Sequence, residues 1–192
     1  MVTKKQFRQE DCPTPIRVQL IQLMRQAWPN AFDDVSDEQV IWPDTPDTHP
    51  VSLVYLDGDT IISHVAVPRK KIQHEGRVYT AYGISEMMTN PAYRRQGYGL
   101  ELLREAAAYI QDQRPDLSIF TCEPHLISFY EQAGWTYMPG THLIGGTRKK
   151  PFRSDSFGLA TMVSFLSDEA KRDAESFRMK DVYVELGERK LW

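Results

Sequence analysis

Cysteine is scarce in this chain, which has only Cys12 and Cys122, far apart in sequence. That excludes the dense disulfide framework of small secreted domains. The two side chains read as free thiols of a reducing compartment, so the protein is expected in the cytoplasm. Apolar runs are short, none approaching the roughly 20 residues that span a bilayer. The opening stretch MVTKKQFRQEDC lacks the apolar centre of a secretion signal. Charge of one sign is not in excess: the net value of −3 gives no reason to expect a nucleic-acid or membrane partner, although a local basic cluster for one ligand stays allowed. The five histidines, His49, His64, His74, His125 and His142, show no metal-ligand spacing, and no metal is expected. Internal repeats and low-complexity segments are also missing.

What is present is ordinary for a globular protein. The 192 residues are 41% apolar and 26% charged, enough for one domain with a sizeable core. We expect a single domain over 1–192, with its core at about 50–140, an acidic helical segment at 14–48 and strands with a tail at 141–192. Ile16, Leu20, Leu23, Met24 and Ala27 recur at helical spacing until Pro29. Ser36 is placed to cap a short helix in the acidic stretch that follows. Two β-rich runs, 51–56 and 61–67, flank Asp57-Gly58-Asp59 and predict a hairpin. A turn at His74-Glu75-Gly76 then leads into a third strand over 78–89. Residues 97–112 read as a helix with Leu100, Leu103, Ala107 and Ile110 on one face. The run 117–121 reads as a buried strand, parallel to the one ending at Thr89 through a right-handed crossover. A short helix at 125–133 ends at Gly134. Strands are expected at 135–143 and 159–165, joined by a loop of Gly145, Gly146, Arg148, Lys149 and Lys150. A helix over 168–178 and a short strand complete the chain.

The most informative segment is Asn90-Pro91-Ala92-Tyr93-Arg94-Arg95-Gln96-Gly97-Tyr98-Gly99-Leu100. A strand that turns through glycines into a helix leaves several N–H groups unpaired at the positive end of the helix dipole. That arrangement suits a phosphate or pyrophosphate. The competing reading is a tight turn with a solvated pair of arginines.

The turn, the order of elements, and Phe129-Tyr130-Glu131-Gln132-Ala133-Gly134-Trp135 together resemble the GCN5-related N-acetyltransferases (GNAT superfamily). That family writes the turn R/Q-x-x-G-x-G/A, matched here at Arg94, Gly97 and Gly99. Thr89-Asn90-Pro91 stands where the family has a β-branched residue, any residue and proline. The resemblance covers about residues 50–140. Within the family the layout is most similar to the aminoglycoside 2′-N-acetyltransferases, in hairpin spacing, in the YxxxGW segment and in a chain ending on Trp192.

The resemblance implies an α/β (α+β) fold. Its central sheet is mixed, mostly antiparallel and of about seven strands, with a splayed parallel pair and helices on both faces. It implies acetyl-CoA as co-substrate and direct transfer to a primary amine, with an aminoglycoside-like or other cationic small molecule as the candidate acceptor. The alternatives are a non-catalytic acyl-CoA-binding module and an acyltransferase for a longer donor. Main-chain N–H groups of Arg95, Gln96, Gly97, Tyr98 and Gly99 would hold the pyrophosphate, with Arg94 and Arg95 adding charge. A Cβ at Gly97 or Gly99 is expected to crowd the phosphates. The pantetheine arm would enter between the strand ending at Thr89 and the strand at Ile119 to Thr121. There the main chain of Met87, Met88 and Thr89 would meet its amides, and an N–H would face the charge that grows on the thioester oxygen. The side chains of the two methionines read equally as core.

Tyr130 is the candidate general acid for the leaving thiolate, against a plain aromatic core residue. Glu86 is the candidate base or substrate ligand, against a paired carboxylate. The acidic position of aminoglycoside-modifying relatives falls one residue earlier, on Ser85. A β-bulge would absorb the offset, and without one Glu86 points to the other face. Cys122 is a weaker candidate, as nucleophile of a two-step route. For a cationic acceptor the carboxylates available are Asp33, Asp34, Asp37 and Glu38, then Asp155 and the carboxylate of Trp192, against solvated loops. Arg148-Lys149-Lys150 argues against a polycation on its side and offers a contact to a cofactor phosphate. The expected partner is a small-molecule amine, and the expected state a monomer or homodimer.

Overall fold

The computed structural model of the chain describes residues 1–30, 32 and 35–192. Among them the chain forms twelve β-strands and four α-helices, arranged as two compact units. The first unit comprises residues 1–67 and 86–106, the second residues 68–85 and 107–192.

In the first unit, β1 (Val2–Arg8), β2 (Val51–Asp57), β3 (Thr60–Val67) and β6 (Ser85–Thr89) form a sheet in the order β1-β2-β3-β6, the first residue of β6 falling to the second unit. β2 and β3 are the expected hairpin, turned by Gly58 at φ +57. Helix α1 (Thr14–Ala27) has proline in its first turn, which lacks intrahelical N–H partners anyway, and it stops where the Trp28 N–H meets the Met24 carbonyl at 2.7 Å, just before Pro29. Its Ile16, Leu20, Ile21 and Met24 join Val54, Leu56, Ile61 and Met88 of the sheet in one buried cluster. Full burial of a side chain such as Leu20 or Ile21 is worth about 2 kcal/mol. Ser36 caps a 3-10 turn at Asp37–Gln39, its side chain and that of Gln39 forming a capping box. Asp33 and Asp34, named above as acceptor carboxylates, lie outside the described residues.

The second unit holds β4 (Arg69–His74), β5 (Arg77–Tyr82), β7 (Leu117–Cys122), β8 (Thr136–Tyr137) and β11 (Ala160–Phe165), in the order β4-β5-β7-β11-β8. A three-stranded sheet, β10-β9-β12, is built from β9 (His142–Thr147), β10 (Lys150–Arg153) and β12 (Asp181–Tyr183). Helix α2 (Tyr98–Asp112) runs from the first unit into the second. Helices α3 (Ile127–Glu131) and α4 (Asp168–Arg172) are short and belong to the second.

Four expectations are corrected. The strand read over 78–89 is two strands, β5 and β6, interrupted at Gly83 and Ile84 and lying in different sheets. The parallel partner of β7 is therefore β5, at Ala81↔Leu117 and Tyr82↔Ser118. At the break glycine is required: a Cβ on Gly83 would lie 2.6 Å from the indole of Trp192. The strand read over 135–143 is likewise interrupted, by a turn through Gly140 at φ +74. The glycine-rich basic loop is instead the hairpin β9–β10, turning at Arg148-Lys149, with Gly146 at φ +79 inside β9 opposite Pro151. Finally, β1, absent from the sequence reading, pairs along its full length with β2, while the expected mixed α/β fold stands, its antiparallel and parallel strands falling in three sheets.

Candidate active site

The glycine turn is built by local hydrogen bonds. Asn90 accepts the Ala92 N–H through Oδ1 at 3.1 Å and donates from Nδ2 to the Ile61 carbonyl at 3.0 Å, fixing the turn to β3. Arg95 (φ +62) and Gly97 (φ +88) both take left-handed backbone. No protein atom lies within 4 Å of a Cβ built on Gly97, so within the protein the glycine answers to backbone conformation rather than crowding. The Glu101 N–H reaches the Gly97 carbonyl at 3.0 Å as the first helical bond. The N–H groups of Tyr98, Gly99 and Leu100 stand ahead of it, at the positive end of a 15-residue helix. Residues 94–97 are exposed. Arg94 Nε donates to the Thr89 carbonyl at 3.1 Å, tying the turn to the end of β6. Exposed amides and two arginines at a helix start fit a diphosphate.

Strand β6 carries Glu86 at φ +49, a left-handed residue inside a strand. The carboxylate is 18% exposed. Its Oε1 accepts Trp42 Nε1–H at 3.0 Å and its Oε2 accepts Gln9 Nε2–H at 2.9 Å. The Glu86 carbonyl lies 3.2 Å from His64 Nδ1, and His64 Nε2 lies 2.8 Å from Ser52 Oγ. A carbonyl only accepts, so Nδ1 carries the proton and Nε2 accepts from the Ser52 hydroxyl. Ser52 and His64 are fully buried. Desolvation by that burial pushes the His64 pKa down to about 3, keeping the ring neutral.

Farther along β6, the Met88 side chain sits in the core and its carbonyl accepts the Ser63 hydroxyl at 2.9 Å. The Thr89 hydroxyl lies 3.0 Å from Ser63 Oγ. Two carbonyls named for the pantetheine amides, Met88 and Thr89, thus already accept side-chain bonds within the protein, from Ser63 and Arg94.

In the second unit, Tyr130 on α3 is buried, its ring edge-on to Phe120 of β7 at 4.9 Å and to Phe129 at 5.2 Å. Trp135 anchors the same segment: its Nε1–H donates to Ser118 Oγ at 2.9 Å and its ring meets Phe120 at 5.4 Å. Burial, then the neighbouring Cys122, raises the Tyr130 pKa, so the phenol holds its proton at neutral pH. Burial also pushes the Cys122 thiol up to about 11, and that of Cys12 to about 12. Neither is a ready nucleophile near pH 7. Trp192 is buried, its main-chain oxygen accepting the Thr121 N–H at 3.0 Å and the Thr121 hydroxyl.

The remaining acidic candidates are engaged elsewhere. Asp155 makes two 3.1 Å bonds to Arg153, which together hold its carboxyl below the usual range, and it lies 3.8 Å from His142. Asp37 pairs with Arg25 at 2.8 Å. In the basic hairpin, Arg148 pairs with Glu185 at 2.9 Å and Lys150 with Glu188 at 2.8 Å. Sequence reasoning missed Gln9, Trp42, Ser52 and His64. The 77 residues between Gln9 and Glu86 leave no periodic or motif signal that joins them.

A family model described as acetyltransferase (GNAT) domain matches residues 16–138. No curated protein sequence matches the chain. Solved structures with a similar fold include an acyl-CoA N-acyltransferase from Pseudomonas aeruginosa (14% identity, 85% of this chain and 99% of that one, TM-score 0.56). An aminoglycoside 6′-N-acetyltransferase complexed with coenzyme A is similar at 12% identity (85% and 97%, TM-score 0.57). Arabidopsis thaliana NAA60 in complex with a bisubstrate analogue is similar at 16% identity (86% and 98%, TM-score 0.57). At these identities the structures speak for the fold alone. The family match spans well over half of the chain and contains the glycine turn, Glu86 and Tyr130, and on it the chain belongs to the acetyltransferase (GNAT) family, as an N-acetyltransferase that uses acetyl-CoA.

Proposed function

We propose that the protein acetylates the primary amine of a cationic small molecule by direct attack on acetyl-CoA in a ternary complex. The observation that carries this reading is Glu86, a largely buried carboxylate at a strand irregularity, with both oxygens held by neutral N–H donors. So held, it accepts the proton that the attacking ammonium group must lose, directly or through water, or grips the cation itself. Tyr130, protonated at neutral pH, gives its proton to the departing thiolate and recovers one from solvent. The N–H groups of residues 95–99, with Arg94 and Arg95, bind the diphosphate of coenzyme A. The main chain of Met87, Met88 and Thr89 orients the pantetheine arm. Aminoglycoside-like acceptors are included because a solved relative of this fold acts on an aminoglycoside. Ser85, beside Glu86, is the proposed acceptor contact on β6, while Asp33, Asp34, Asp155 and Trp192 are weaker proposals for the same role.

The test is release of coenzyme A thiol from acetyl-CoA across aminoglycosides, polyamines, amino acids and peptide amines. Turnover with a cationic small molecule, lost in Tyr130→Phe, is the expected result. Binding without turnover of any amine, or indifference to Tyr130→Phe, leaves a non-catalytic acyl-CoA module. No shift in melting temperature with millimolar coenzyme A overturns the whole reading.

A further inference from the structure

A left-handed backbone at a side chain other than glycine, asparagine or aspartate is uncommon and costs about 1–3 kcal/mol. It persists only where its surroundings hold it. At Glu86 the holding group is visible: a fully buried imidazole directs Nδ1 at the carbonyl of that very residue, at 3.2 Å. The imidazole is fixed in turn by Ser52, 2.8 Å from Nε2 on the adjacent strand. His64 faces the side chain of Glu86 as well as its carbonyl, Nδ1 standing 3.9 Å from Oε2. A neutral ring that already donates Nδ1–H to a carbonyl is a poor proton carrier. It is a good clamp.

We propose that His64 and Ser52 are positioning residues for the reaction. The Ser52 hydroxyl selects the Nδ1–H tautomer of His64. That N–H locks the main chain of Glu86 in its left-handed turn. The turn delivers the carboxylate to Trp42 and Gln9, which hold one oxygen each. Without the clamp, Glu86 relaxes toward ordinary strand backbone, and its side chain swings away from these two donors. The proposal rests on the reading of Glu86 as proton acceptor or cation ligand.

Among the described residues, the groups facing the carboxylate include His64 from β3, Trp42 and Gln9 from separate segments, and Cys12 ahead of α1. Arg17 of α1 stands beside Cys12. Among these, Cys12 keeps its proton up to about pH 12 and His64 stays neutral above about pH 3. An acidic limb of kcat/KM that disappears in Glu86→Gln reports Glu86.

The experiment compares Glu86→Gln, His64→Leu, His64→Asn, Ser52→Ala and Trp42→Phe in the intact chain. Readouts are kcat, both KM values, the pH profile, and thermal stabilisation by coenzyme A. Glu86→Gln is expected to lose 100-fold or more in kcat. His64→Leu is expected to lose about 10-fold, with the KM for acetyl-CoA unchanged and the acidic limb moved to higher pH, because the carboxylate loses its donors. His64→Asn places an amide N–H where Nδ1 stood, and restores most of the loss. Trp42→Phe and Ser52→Ala shift the limb the same way, and they decide the matter if His64→Leu does not fold. Near-normal activity in Glu86→Gln overturns the reading of Glu86 and this proposal with it. An inactive Glu86→Gln beside folded His64, Ser52 and Trp42 variants with unmoved kcat and profile overturns the clamp alone.

Discussion

The glycine turn and the Glu86 pocket belong to the same unit, yet they are made in opposite ways. The turn is one continuous stretch, exposed, and its proposed role rests on its main chain. Its bonds run between neighbours, such as Asn90 to Ala92. The pocket gathers Gln9, Trp42, Ser52 and His64 from four separate segments around one side chain of a fifth. Main-chain amides at a helix start grip any diphosphate, because the helix supplies their direction. A proton acceptor has to be placed by side chains that the core already holds. The difference teaches where such an enzyme tolerates change: at turn positions whose side chains neither hold the loop nor carry its charge, and scarcely at all around the carboxylate.

Four measurements test that contrast. The largest effect is expected from Glu86→Gln, which removes 100-fold or more of kcat and leaves the stabilisation by coenzyme A intact. Loss of both together would mean that turn and pocket are not separable. Tyr130→Phe is expected to lower kcat by roughly 10- to 100-fold at an unchanged KM for acetyl-CoA. Unaltered turnover would reduce the tyrosine to packing against Phe120.

The third concerns pH. His64 has a folded pKa of about 3, below its unfolded value of 6.5. Between those two values the unfolded chain binds the extra proton, so stability is complete above pH 6.5 and declines as pH falls toward 3. The fall from pH 7 to pH 5 is expected to cost about 2 kcal/mol, read from urea midpoints. His64→Asn should be free of it, and an equal fall in that variant would place the acid sensitivity elsewhere. The smallest effect is Gly97→Ala. Nothing in the protein crowds the new methyl, so the cost in the free enzyme is about 1 kcal/mol for its positive φ. A weaker stabilisation by coenzyme A alongside that modest cost would show the methyl meeting the diphosphate. Unchanged stabilisation would remove Gly97 from the binding surface.

The same contrast explains what was legible in the sequence. The turn, the hairpin around Asp57-Gly58, helices α1 and α2, and the segment from Phe129 to Trp135 are local patterns, and the structure forms the elements they predict. Strand β1 left no trace because it is an edge strand with almost every side chain exposed, and only Phe7 turns partly inward. It is held by its main-chain ladder to β2. The need for glycine at 83, inside the break between β5 and β6, was invisible because Trp192, which takes the place of its Cβ, lies over a hundred residues away. Glu86 was singled out on its place beside the turn, but its left-handed backbone depends on His64, and nothing local in the segment Ile84-Ser85-Glu86-Met87 announces it.

The contact between Gly83 and Trp192 carries a consequence for how this chain diverges. With the indole seated against bare backbone, neither position is able to change first without a clash or a void. An alanine at 83 becomes admissible only after a slimmer residue replaces the tryptophan, so the two sites drift as a pair. Descendants of this sequence would record that coupling as matched substitutions at positions more than a hundred codons apart.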